Sequence, residues 1–178
     1  VSATFNAGSG GYGCSDIFEY RYDGAGIWNA YTAGNNIVTT GHTLVEIRGI
    51  RGNCTATSGC ADTGYVLLAS WIVNPQPTIP TVNTRTPDIA TICSGKAVSA
   101  TFNAGTGGVG CSDVFQYRFD GAGAWTNYTP GTNIFTSGTH SILEIQGQRT
   151  NCSAGSGCTS SPWGIVTSWN IVPQPTGP

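Results

Sequence analysis

The chain has 178 residues, of which only 9% are charged, and its seven Lys and Arg against nine Asp and Glu leave a net charge of −2. Ordinary globular proteins carry roughly 25% charged residues, so Gly, Thr, Ser and Asn must cover much of this surface. That balance excludes an electrostatic footprint for nucleic acid and a polybasic patch for anionic lipid. The 39% hydrophobic content is too high for a disordered chain, and no apolar run is long enough to insert directly into a membrane.

In chain order, Val1–Asn6 reads as a first short strand. The tetrad Gly13-Cys-Ser-Asp16 follows, then Phe18-Glu-Tyr-Arg-Tyr22, where Phe18, Tyr20 and Tyr22 alternate with Glu19 and Arg21. Period-two alternation of this kind predicts a half-buried strand. Asp23-Gly-Ala-Gly26 supplies a tight turn, because Gly accepts the positive φ of a hairpin. Trp28 opens the next strand. Leu44–Arg51 alternates again, with Val45 and Ile47 as the inward set, and Tyr65–Val73 presents Tyr65, Leu67, Ala69 and Trp71 on one predicted face. Prolines in Asn74-Pro-Gln-Pro-Thr-Ile-Pro80 hold the backbone near polyproline II. Residues 74–87 are therefore expected to form a semi-rigid spacer.

The pattern then returns. Val98-Ser-Ala-Thr-Phe-Asn-Ala-Gly repeats Val1–Gly8, and Gly110-Cys-Ser-Asp repeats Gly13–Asp16, at an offset of 97 residues that becomes 98 once Thr139 is inserted. Phe115, Tyr117 and Phe119 repeat the aromatic alternation. Asp120-Gly-Ala-Gly123 repeats the turn, and Trp125 opens the next strand. Ile142–Arg149 points Leu143 and Ile145 inward, and Trp163–Val172 repeats the last strand with Trp163, Ile165, Thr167 and Trp169 on one face. Val172-Pro-Gln-Pro-Thr-Gly-Pro178 repeats the ending. Residues 81–97, with a further strand at Ile89–Cys93, have no counterpart before Val1, so the first repeat is expected to lack its opening strand. Two domains follow: 1–80 and 81–178. With about seven short strands per full repeat, the fold class is all-β, two tandem immunoglobulin-like β-sandwich modules.

Seven cysteines point to an oxidising compartment. Cys54 and Cys60 enclose a short turn-prone stretch, as do Cys152 and Cys158, so each pair is expected to form a disulfide. Two cysteines without neighbouring histidines do not make a tetrahedral zinc site. Cys93–Cys111 is the expected third bridge, which leaves Cys14 unpaired by truncation.

Candidate chemistry is sparse. His42 and His140 are the only histidines and stand apart from any nucleophile motif, and Gly13–Asp16 lacks the G-x-S-x-G pattern of a nucleophile elbow. No catalytic residue and no cofactor is assigned, and the chain is not read as an enzyme. Calcium is the one metal that the loop carboxylates Asp16, Asp23, Asp62, Asp113 and Asp120 could recruit, although no D-x-D-G run exists. Trp28 with Tyr31, and Trp125 with Tyr128, offer aromatic faces suited to a sugar ring. Asn53-Cys-Thr, Asn127-Tyr-Thr and Asn151-Cys-Ser have the form of glycosylation sequons.

Ile92-Cys-Ser-Gly, Gly110-Cys-Ser-Asp-Val-Phe-Gln-Tyr-Arg and Ser168-Trp-Asn-Ile-Val-Pro-Gln-Pro-Thr, with their first-copy counterparts, resemble the tandem Ig-like repeats of very large secreted surface proteins of Bacteroidota. The resemblance spans both repeats. It implies an extracellular structural or adhesive segment of a surface protein or filament, at the bacterial cell surface, whose partners are neighbouring repeats, with glycans or other surface proteins as further candidates. A carbohydrate-binding module acting by avidity is the alternative, and a filament subunit joined by strand addition is another.

Overall fold

The computed structural model describes residues 1–177. It is all-β apart from a single 3-10 turn at Ala56–Ser58, and it divides into two compact units, Val1–Asn74 and Pro75–Pro178.

The first unit is built on one antiparallel sheet. Its strands are β1 (Ser15–Tyr22), β2 (Asn29–Tyr31), β3 (Leu44–Gly52) and β4 (Val66–Ile72), in the order β2-β1-β3-β4. Cross-strand pairing sets Phe18 against Gly49, Tyr20 against Ile47 and Tyr22 against Val45, so the aromatic residues share the inner face. Glu19–Arg48 and Arg21–Glu46 are pairs on the outer face, as the alternation predicts. The turn after β1 uses positive φ at both central residues, Asp23 (55°) and Gly24 (67°), and Ala25 N–H donates to Tyr22 O. These are the signs that a two-residue primed turn needs to match strand twist. Val1–Asn6 runs extended, with hydrogen bonds to Ile37 and Gly34, but it does not count as a strand.

The second unit holds two sheets. One has the order β10-β7-β5: β5 (Thr81–Thr86), β7 (Ala97–Asn103) and β10 (Ile134–Phe135). The other runs β6-β12-β11-β8-β9: β6 (Thr91–Cys93), β8 (Ser112–Phe119), β9 (Thr126–Asn127), β11 (Ile142–Thr150) and β12 (Gly164–Val172). Val98, Ala100 and Ile134 from the first sheet meet Phe115, Leu143, Ile145, Trp169 and Ile171 from the second in one core. Val98, Leu143, Ile145 and Trp169 are completely buried, and burial of each such side chain contributes about 1.5–3 kcal/mol.

Three expectations need correction. Residues 81–87 are not spacer: Thr81–Thr86 is strand β5, paired with β7. Its solvent-facing position lets it be almost wholly polar, and polar residues carry no alternation signal. The boundary between units lies at Asn74/Pro75 instead of residue 80, because Pro75–Pro80 packs along the second unit. Gly108 N–H donates to Pro75 O at 2.8 Å and Thr78 N–H to Thr106 O at 2.9 Å. The last strand also does not keep one face. A β-bulge between Ile47/Ala69 and Arg48/Leu67, repeated between Ile145/Thr167 and Gln146/Ile165, leaves Leu68 and Val166 as extra residues. A bulge inserts one residue and reverses the phase. Ala69 and Trp71 therefore pack on the core, while Tyr65 and Leu67 are exposed. In the second unit Thr167 and Trp169 are buried, and Trp163 and Ile165 are exposed.

Candidate functional site

Cys14 and Cys54 lie where β1 begins and β3 ends. The ladder pairs Ser15 with Gly52, so the next residues, Cys14 and Asn53, continue opposite one another. Asn53 adopts φ 53°, turning the chain so that Cys54 meets Cys14, and the two form a disulfide. The second unit repeats this arrangement: Ser112 pairs with Thr150, Asn151 has φ 55°, and Cys111 bonds Cys152. The expected Cys54–Cys60, Cys152–Cys158 and Cys93–Cys111 bridges are thus replaced by two clamps across the strand ends.

The physical reason is register. Cys93 ends β6 beside Val172, at the end of the sheet where β11 begins, whereas Cys111 precedes β8 at the end where β11 finishes. The nine-residue strand from Ile142 to Thr150, eight steps long, separates them by roughly 26 Å. Cys60, Cys93 and Cys158 are free, and Cys14 is bonded. Hydrogen bonds from Ser58 and then from the Tyr12 backbone lower the pKa of the Cys60 thiol.

The loop carboxylates are drawn into the frame. Asp16 accepts from Gly8 N–H at 2.9 Å and from Arg51 at 3.0 Å, and these donors hold its pKa below the usual range. Asp113 and Arg149 reproduce the pair at 3.0 Å. Asp23 accepts from the backbone N–H and hydroxyl of Thr43 and from Leu44 N–H, and lies 2.8 Å from His42 Nδ1. Asp120 does the same with Ser141, Ile142 and His140. The Ser141 backbone N–H, then His140, pull the Asp120 pKa down to about 2, and the Asp23 pKa is lowered further by Thr43 and His42. Each histidine also stacks on an aromatic ring, His42 on Tyr22 and His140 on Phe119. The Asp–His pairs therefore tie the hairpin turn to the start of β3 or β11. Asp62 faces Gly52 and the Cys54 N–H. Among the described residues, no three His, Cys, Asp or Glu side chains gather around one point.

The expected aromatic pairs are split between faces. Tyr31 and Tyr128 are core residues, 8% and 6% exposed. Tyr128 Oη accepts from Ala100 N–H at 2.9 Å and faces the Ala100 and Thr132 carbonyls at 3.1 and 3.0 Å. Trp28 instead lies across the outer face, where the guanidinium groups of Arg48 and Arg21 sit 4.1 and 4.5 Å from its ring centre. Arg48 is also 3.8 Å from the Tyr65 ring and is held by Glu19. Trp125 covers Arg118 in the second unit at 4.3 Å, with Glu144 as the charge partner. The bulge that puts Tyr65 on this face is invisible in a period-two reading. The recurrence of Asp16/Arg51 as Asp113/Arg149 in the sequence is the signal that could have found this ion pair, which is present in both units.

Comparison with known protein families, with curated proteins and with solved structures gave no match. Two disulfides suggest an oxidising, extracellular environment, and among the described residues no helix is long and apolar enough to cross a membrane.

Proposed function

We propose that the chain is a structural and adhesive segment of a long extracellular surface protein of the Bacteroidota type, made of Ig-like β-sandwich repeats. The observation that carries this reading is that the recurring polar groups are used internally. Asp16/Asp113, Asp23/Asp120, Tyr31/Tyr128 and the Arg–Glu pairs of the outer face all bond within their own unit. What recurs is the apparatus of a stable scaffold, and no catalytic role is assigned to it. Length then grows by adding repeats, and each strand-end disulfide limits unfolding. Small-angle scattering on chains of two, four and six repeats tests this: the maximum dimension is expected to rise in proportion to repeat number, and a collapsed globule would end the stalk reading.

A glycan-binding role is the second reading. The outer-face cluster of Trp28, Arg48 and Tyr65 supports it, since an aromatic plane beside fixed hydrogen-bond donors suits a sugar ring. Binding on a glycan array that Trp28→Ala abolishes would favour this reading over a passive stalk.

A further inference from the structure

In the second unit the segment Pro75–Pro80 lies beside the strand-end disulfide as a strap. Pro77 and Pro80 are buried and seat it, together with the backbone bonds at Pro75 and Thr78. Gly108 stands between strap and disulfide, where a Cβ would meet both Pro77 Cγ, at 2.8 Å, and Cys111 Sγ. Gln76 reaches from the strap to the loop that follows Cys152. Its Nε2 donates to Gly157 O at 3.2 Å, and its Oε1 accepts from Thr159 N–H at 3.1 Å. The residue between those two is Cys158, a free thiol. One side chain therefore pins the backbone on both sides of it.

The same loop brings that thiol beside the disulfide. Thr159 O lies 3.9 Å from Cys152 Sγ. Ser153 N–H donates to Val109 O, which is 3.8 Å from Cys111 Sγ. The chain then turns back at Ser156, whose Oγ accepts from Cys158 N–H at 3.2 Å and donates to Ser153 O at 2.7 Å. We propose that the strap is a latch on an internal disulfide exchange. When Pro75–Pro80 lifts, Cys158 gives up its proton to water and its thiolate attacks Cys152 Sγ. The Cys111–Cys152 bond breaks, Cys152–Cys158 forms, and Cys111 leaves as a thiolate that takes up a proton. One S–S bond is lost and one gained, so the step uses no oxidant or reductant. The inference goes beyond the stalk reading and does not require it.

Different forces choose the partner in the two states. In the packed unit register decides, because Ser112 opposite Thr150 brings Cys111 to Cys152, and Gln76 ties the Cys158 backbone to the strap. In the loosened unit chain entropy decides. Cys111 and Cys152 are 41 residues apart, whereas only Ser-Ala-Gly-Ser-Gly separates Cys152 from Cys158. The shorter loop closes at the lower entropic cost. The strap is also where the chain enters the second unit, so a load on the chain acts on it directly. Such a load leaves the Cys111–Cys152 ring intact until Cys158, in place of an external reductant, opens it.

The test uses the oxidised full chain, incubated without added thiol, alkylated with N-ethylmaleimide and mapped by non-reducing peptide analysis. The parent is expected to give Cys111–Cys152 as its main bridge in this unit, with Cys158 alkylated. Gln76→Ala removes two hydrogen bonds between strap and loop, and is expected to raise the Cys152–Cys158 peptide, with alkylated Cys111, about tenfold. Gln76 is exposed, so the variant is expected to keep the parent circular dichroism. Adding Cys158→Ser to Gln76→Ala is expected to return Cys111–Cys152 in full. Tyr128→Phe weakens the same unit from its core and is expected to pair as the parent does, which separates a latch from a general loss of stability. A Gln76→Ala chain that maps like the parent overturns the proposal. So does an equal swap in Tyr128→Phe, a parent bridged mainly through Cys152–Cys158, or a Cys158 joined to Cys60 or Cys93.

Discussion

Replacing Cys111 and Cys152 together by serine removes the clamp between the start of β8 and the end of β11. The bridged residues are 41 apart in sequence, and loop-closure entropy for a ring of that size corresponds to about 4 kcal/mol. For a unit of this size that is a fall of roughly 15–30 °C in melting temperature. Cys158 is free, so Cys158→Ser is expected to melt with the parent. The rival pairing, Cys152 with Cys158, makes the opposite forecast: its short ring is worth about 2 kcal/mol, lost in Cys158→Ser, while Cys111→Ser alone would cost almost nothing. Calorimetry of the two variants, with peptide mapping under non-reducing conditions, separates the cases. A Cys158→Ser variant that melts well below the parent, together with a Cys152–Cys158 peptide, would refute the register argument. The double substitution is the right perturbation, because a single one leaves a thiol free to pair with Cys158.

Other outcomes follow from the core and the loops. Tyr128→Phe leaves the buried Ala100 N–H without its acceptor and is expected to cost about 1–3 kcal/mol, measured by urea unfolding. Asp120 has a folded-state pKa of about 2, below the usual value of about 3.9. Its contribution is therefore fully present above the unfolded value and is lost as pH falls through the folded one. Asp23→Asn/Asp120→Asn is expected to melt lower at neutral pH and to show a flatter decline between pH 4 and pH 2 than the parent.

The strands that were legible in the sequence are those with one wet and one dry face. Phe18, Tyr20 and Tyr22 against Glu19 and Arg21 could be read directly, as could Val45/Ile47 and Leu143/Ile145. β5 was not legible, since Thr81-Val-Asn-Thr-Arg-Thr faces solvent and carries almost no apolar period. The bulges at Leu68 and Val166 reverse the phase within a run that reads as continuous. The cysteine pairing failed for a related reason: spacing along the chain suggests a local loop, whereas the partner is chosen by which residues the antiparallel register sets opposite each other. Tyr31 and Trp28 are neighbours in sequence and yet belong to opposite faces, a separation that only the strand pairing reveals.

The strand-end disulfide has a consequence for a chain under tension. Everything between Cys111 and Cys152 is enclosed in a covalent ring, so a pull on the ends of the second unit cannot straighten it. At roughly 3.4 Å per residue the ring withholds about 140 Å of slack, and reduction of one bond would release it. The oxidised unit is thus a short tether whose reserve length is kept under chemical lock.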